Sequence, residues 1–160
     1  MEIFKDEKIK KVLEKIKNAI KLTHFDGKVY VVGGAVRDAL LGLPVKDIDV
    51  VVEYNNGGLM VANLLAAREK CYVLGSNPVV YETYGTAKVR LFKDPDLKDF
   101  DIEFVETRKN KTEFGTLEED SKRRDLTINS LYYNITTEKL IDFNQGIDDL
   151  VNKTLRCPSA

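Results

Sequence analysis

The tightest constraint on this chain is one short run, Asp47-Ile48-Asp49-Val50-Val51-Val52. Valines this dense read as a strand, because β-branched side chains pack well on a pleated, buried surface. Successive strand side chains point to opposite faces, so Ile48 faces the core while Asp47 and Asp49 stand side by side. Two adjacent carboxylates repel, and the usual remedy is a divalent cation, commonly Mg2+ shared with substrate phosphates. A two-metal site would hold its ions about 3.5–4 Å apart and stabilise both the attacking and the leaving oxygen. Mn2+ suits the same oxygen ligands. An isolated Asp-x-Asp is often only structural, so its surroundings decide.

Upstream, Val29-Tyr30-Val31-Val32 reads as a buried strand that stops at Gly33-Gly34, and Ala35 to Leu41 then read as a short helix. Glycines at a strand-to-helix turn let a ligand approach the backbone, and the free N–H groups of the helix start suit phosphate. Arg37 adds a planar fork of donors one turn into that helix. The pattern is neither a Walker A loop nor Gly-x-Gly-x-x-Gly. Alone it would read equally as a tight turn with a surface arginine; just before a strand headed by two aspartates it reads as a phosphate site.

Two further segments carry candidate chemistry. In Asp101-Ile102-Glu103-Phe104-Val105-Glu106, Asp101 and Glu103 share one strand face; Glu103 is the candidate third acid of the site, and the alternative is a plain exposed strand acid. In Lys122-Arg123-Arg124-Asp125-Leu126-Thr127-Ile128-Asn129, donors and acceptors stand close enough to hold a nucleotide's ribose and phosphate. Charge alone would make that segment a solvated cluster.

The remaining chain sets the class. At 160 residues there is room for one domain with a real core, and 43% apolar with 32% charged residues is an ordinary globular balance. No stretch resembles a membrane span or an apolar signal-peptide core, and Cys71 and Cys157 suggest neither a disulfide framework nor a zinc site, so a cytoplasmic protein is expected. A net charge of −1 is low for a domain that grips nucleic acid by its backbone alone. Residues 6–22 space Ile9, Val12, Leu13, Ile16, Ala19 and Ile20 helically with lysines opposite, which predicts a surface helix packed by one stripe. A helix is expected over 59–69, strands around 71–74, 86–92 and 100–105, a polar hairpin loop over 93–99, and a polar, turn-rich stretch over 107–120. A short helix over Asp125–Leu131 and a closing hairpin of Tyr132-Tyr133-Asn134 with Lys139-Leu140-Ile141 complete the reading. Strict β/α alternation is absent, so the expected class is α/β (α+β), a mixed sheet with flanking helices. His24 has no partner and reads as a surface or packing residue.

Together the motifs support a resemblance. Residues 33–49, Gly-Gly-Ala-Val-Arg-Asp-Ala-Leu-Leu-Gly-Leu-Pro-Val-Lys-Asp-Ile-Asp, resemble the signature of class II tRNA nucleotidyltransferases (CCA-adding enzymes) and bacterial poly(A) polymerases. Residues 115–129, Gly-Thr-Leu-Glu-Glu-Asp-Ser-Lys-Arg-Arg-Asp-Leu-Thr-Ile-Asn, resemble the second motif of that family, and Ile141-Asp142-Phe143 with Gly146-Ile147-Asp148-Asp149-Leu150 its closing segment. The resemblance implies a polymerase-β-like head over 28–156, preceded by a packed N-terminal helix over 1–27. Neck, body and tail domains follow the head in the family and lie outside this chain. It implies Asp47 and Asp49 as metal-binding carboxylates; Glu103, the candidate third catalytic acid, rests on the strand pattern and not on the resemblance. Gly33, Gly34, Arg37, Arg124, Asp125 and Asn129 fall in its nucleotide-binding motifs. The implied reaction is attack of an RNA 3′-hydroxyl on the α-phosphate of ATP or CTP, releasing pyrophosphate.

Two features depart from the family's pattern. The family's neck carries a Glu-Asp-x-x-Arg motif that selects the base, and residues 157–160 fall just before that helix would begin, so tRNA or another RNA would be held mainly by domains beyond this chain. The segment between Arg108 and Gly115 is also short, a feature associated with CC-adding relatives. The rival readings are a stand-alone nucleotidyltransferase acting on a protein or small molecule, and a nucleotide-binding module without turnover.

Overall fold

The computed structural model describes residues 3–71, 73–74, 86–98 and 100–159. Residue 72 of the expected strand 71–74 and Asp99 at the end of the expected hairpin loop lie outside the described residues. Seven strands form one mixed sheet: β1 (Val29–Val32), β2 (Asp47–Val52), β3 (Val73–Leu74), β4 (Ala87–Arg90), β5 (Asp101–Glu106), β6 (Leu131–Asn134) and β7 (Leu140–Asp142), in the order β3-β4-β5-β2-β1-β6-β7. Among the described strands only β2 and β5 run parallel.

The helices are α1 (Glu7–Ile20), α2 (Gly34–Leu40), α3 (Gly57–Glu69), α4 (Leu117–Lys122) and α5 (Gly146–Val151), with a 3-10 turn at Thr127–Asn129. Helix α1 begins where the Asp6 carboxylate accepts the Lys8 N–H at 2.7 Å, satisfying a donor that a helix start leaves unpaired. Its stripe of Ile9, Val12, Leu13, Ile16 and Ile20 is buried, and each such side chain stabilises the fold by roughly 1.5–3 kcal/mol relative to exposure. Lys15 bonds Glu69 at the end of α3, and Lys11 reaches Asp94 at 2.7 Å. The N-terminal lysines therefore partly fasten α1 to the body, in addition to solvating its outer face. His24 packs against the Phe25 and Tyr54 rings, centroids 4.2 and 4.9 Å away.

The two sheet faces differ. One, carrying Val29, Val31, Ile48, Val50, Val52, Ile102 and Phe104, is closed by α1, α2 and α3 in the main core. The other has a second, smaller cluster of Tyr30, Val32, Val51, Leu117 and Tyr132. Helix α4 covers it there and leaves the carboxylate end of β2 open, so β2 alternates exposed and buried at its start and is buried throughout its second half.

Two expectations need correction. Within the stretch 107–120, expected to be turn-rich, residues from 117 onward instead start α4 (Leu117–Lys122). Thr116 accepts the Glu119 N–H at 3.1 Å while the Glu119 carboxylate accepts the Thr116 N–H at 2.9 Å, a reciprocal cap that lets a polar segment start a helix. The helix expected over 125–131 is one 3-10 turn, because Ser130 and Asn129 donate to carbonyls three residues back and β6 begins at Leu131.

Candidate active site

Strand β2 enters the sheet at Asp47, and both Asp47 and Asp49 are exposed while Ile48 between them is fully buried. Neither carboxylate makes a salt bridge or side-chain hydrogen bond among the described residues. The Asp49 carboxyl is pushed above the usual carboxylate range, first by loss of hydration at the foot of the cleft; Asp47 adds to this, and Arg124 and Lys88 oppose it. Sheet register puts Glu103 of β5 directly beside Asp49, and Lys88 of β4 directly beside Glu103. The Glu103 carboxyl is likewise raised, by desolvation first and the Asp49 charge second. Asp101, beside Asp47, is held low by a two-point pair with Arg90, at 2.8 and 3.1 Å.

An open cleft of about 330 Å³ adjoins the pair, with Gly34, Asp38, Lys46, Asp47 and Asp49 on its walls. The turn that forms one wall needs glycine: Gly33 sits at φ +81°, which side-chain-bearing residues rarely adopt. Arg37 folds back over Gly34, where an added Cβ would meet its Nη2 at 3.2 Å.

Two motifs nearly a hundred residues apart in sequence meet here. Arg37 Nη1 donates to Asn129 Oδ1 at 2.8 Å and its Nε to Asp38 at 2.9 Å, while Asn129 Nδ2 donates to Asp125 at 3.2 Å. The turn that carries Asn129 is fixed from behind by α5. Gly146 approaches so closely that a Cβ would lie 2.3 Å from the Thr127 carbonyl, and the Asp142 carboxylate accepts the Gly146 and Ile147 N–H groups at 2.7 and 3.0 Å. Arg124 projects from the end of α4, close enough for its charge to oppose the upward shift of Asp49.

The residue that the sequence reading missed is Asp120. It is fully buried and accepts bonds from Arg123, Arg124, Tyr132 and the Arg108 backbone. Its signal was its spacing, three and four residues before Arg123 and Arg124, which leave the end of α4.

The donor set fits a hard divalent cation: two carboxylates without a salt bridge or side-chain hydrogen bond among the described residues, two positions apart on one strand. Among the described residues no three His, Cys, Asp or Glu side chains converge on one point. The remaining ligands of such an ion would be substrate oxygens and water, the usual arrangement for Mg2+. No helix among the described residues is long and apolar enough to cross a membrane.

Comparison with known proteins gives the same picture. Residues 29–156 match the poly A polymerase head domain. A solved tRNA-processing enzyme in an apo form is 31% identical, covering 96% of this chain and 37% of its own, with a TM-score of 0.77. A tRNA nucleotidyltransferase solved with a primer tRNA and an incoming ATP analog is 36% identical over 82% of this chain and 35% of its own, TM-score 0.68. The Thermotoga maritima CCA-adding enzyme complexed with tRNA is 29% identical over 96% of this chain and 33% of its own, TM-score 0.75. This chain thus spans about a third of the length of each of them. Nucleotidyltransferases of this kind generally use divalent metals. With the fold, the motif order and the match over most of its length in agreement, the chain belongs to the poly A polymerase head-domain family.

Proposed function

We propose that this chain is the catalytic head of an RNA nucleotidyltransferase that adds nucleotides from ATP or CTP to an RNA 3′ end. The observation that carries the reading is the unpaired Asp47–Asp49 pair on an open sheet face, set between the Gly33-Gly34 turn and Arg124. Relatives solved with an ATP analog and primer tRNA, or with CTP, point to the same two substrates.

In this reading Asp47 and Asp49 hold Mg2+, with Mn2+ able to substitute. The bound ion supplies positive charge that stabilises the attacking and leaving oxygens of an in-line displacement. Glu103, its carboxyl raised beside Asp49, stands on the flank away from Arg37 and Arg124 and accepts the proton of the RNA 3′-hydroxyl. Gly33 and Gly34 let the triphosphate approach the backbone, and Arg37 and Arg124 counter its charge. Asp125 and Asn129 receive the ribose hydroxyls. The RNA body is held mainly by domains beyond this chain, consistent with a net charge of −1.

The test is transfer of labelled ATP or CTP onto tRNA lacking its 3′ end, with the chain joined to the rest of its polypeptide. The reading requires divalent-dependent incorporation that Asp47→Ala and Asp49→Ala each abolish without loss of fold. Near-normal turnover by either variant overturns it.

A further inference from the structure

Asp120 has no solvent-accessible surface and no route to a substrate, yet it is the most heavily bonded carboxylate near the site. Its Oδ1 accepts the Arg108 backbone N–H at 2.9 Å and Arg123 Nη2 at 3.0 Å. Its Oδ2 accepts Arg124 Nε at 3.2 Å, Arg124 Nη2 at 2.8 Å and the Tyr132 hydroxyl at 2.5 Å. A carboxylate offers about four lone-pair positions, so these donors saturate it.

The two oxygens face different parts of the molecule. Arg123 Nε also donates to the Arg108 carbonyl at 3.2 Å, so the Oδ1 side grips both backbone groups of Arg108. Arg108 is the root of a short loop, closed by its bridge to Phe114 and by the Lys109 N–H on the Glu113 carbonyl at 3.0 Å. The Oδ2 side takes one edge of the Arg124 fork. That edge is fixed at two nitrogens, which removes rotation about the terminal bonds of the side chain. Nη1, on the other side of the guanidinium, makes no protein hydrogen bond among the described residues. Tyr132, in the sheet behind, prevents the carboxylate from turning.

We infer that Asp120 is the positioning residue of the nucleotide site: its buried carboxylate fixes the Arg124 guanidinium in the direction that meets the nucleotide phosphates, and anchors it to the root of the 109–115 loop. The inference rests on the reading of Arg124 as a nucleotide contact. It separates Arg124 from Arg123, which shares the same anchor but spends its fork on the Arg108 carbonyl.

Titration of MgATP and MgCTP into this chain, followed by calorimetry alongside thermal melts, tests it. Arg124→Gln raises the dissociation constant about tenfold, the effect of one charged hydrogen bond. Asp120→Asn raises it by a similar factor although it removes no atom that could touch the nucleotide. The double variant binds no more weakly than Arg124→Gln alone, whereas a purely structural Asp120 would add its own loss. If Asp120→Asn is folded and binds within twofold of the parent while Arg124→Gln is weak, the inference is overturned and the nucleotide reading stands. If Arg124→Gln itself binds like the parent, the nucleotide reading of Arg124 fails first. Should Asp120→Asn melt below the assay temperature, Arg124→Lys decides. Lysine keeps the charge but not the two-nitrogen grip, so a roughly tenfold loss supports the inference and parental affinity overturns it.

Discussion

The two faces of the sheet are built from the same strands and serve opposite purposes. On the closed face Ile48, Val50, Ile102 and Phe104 are all fully buried under three helices. On the open face the alternate residues of the same two strands, Asp47, Asp49, Asp101 and Glu103, are charged, and among the described residues only α4 covers the far end. Stability is concentrated on one side, which leaves the other free to hold repelling charges that would be intolerable in a core. The strand that carries the carboxylates is rigid because its other face is packed, and a site on a rigid strand keeps its geometry.

The largest expected effect breaks the closed face. Phe104→Ala leaves a cavity beneath β5 and lowers unfolding free energy by about 3–5 kcal/mol, read from urea unfolding; a loss under about 1 kcal/mol would mean the closed face does not carry the fold. Comparable in size is removal of the Asp120 charge beneath the arginines, about 3–5 kcal/mol for a broken buried pair. Its pH signature distinguishes it. Burial alone would push the Asp120 carboxyl up, but the Arg124 charge and the bonds from Tyr132 and Arg108 outweigh it and hold the carboxyl below the usual carboxylate range. A depressed folded-state value means the contribution is fully present above the unfolded value near 3.9 and lost as pH falls through the folded one. The parent should therefore lose stability more steeply than Asp120→Asn below about pH 4, measured as urea midpoints against pH. Parallel acid limbs would refute the assignment.

Smaller is the cap that starts α4. Thr116→Ala removes the acceptor for the Glu119 N–H and costs about 1 kcal/mol, visible as a shift of midpoint without a change of slope. Smallest in stability, and largest in function, is the open face itself. Asp49→Asn relieves a like-charge pair, so the metal-free protein should be as stable as the parent or more stable by a few tenths of a kcal/mol. A clear destabilisation in thermal melts would show that the open face is structural after all.

Much of this division was legible in the sequence, and for a stated reason. Valine runs ending in Gly33-Gly34 and beginning at Asp47-Ile48-Asp49 report their own burial through period-two alternation, so β1, β2 and the glycine turn could be read directly. Helix α4 could not, because Leu117-Glu118-Glu119-Asp120-Ser121-Lys122 has one apolar residue and its only helical signal is the Thr116/Glu119 cap. Strand order was also hidden. The register that sets Glu103 beside Asp49 depends on β5 pairing parallel to β2 across more than fifty residues of chain, and local sequence carries no trace of that pairing. Asp120 was missed because it was counted as one charge among many in a polar segment. Its role lies in burial, which only the packing of α4 against Tyr132 creates.

The central claim is that Asp47 and Asp49 form a divalent-cation site prepared by the packing behind them. Mn2+ titrated into the protein and followed by the loss of its free-ion paramagnetic signal tests this without requiring turnover. The parent should retain Mn2+, Mg2+ should displace it, and Asp47→Ala and Asp49→Ala should each weaken it at least about tenfold with unchanged thermal melts. A double Asp47→Ala, Asp49→Ala variant that holds Mn2+ as tightly as the parent would contradict it.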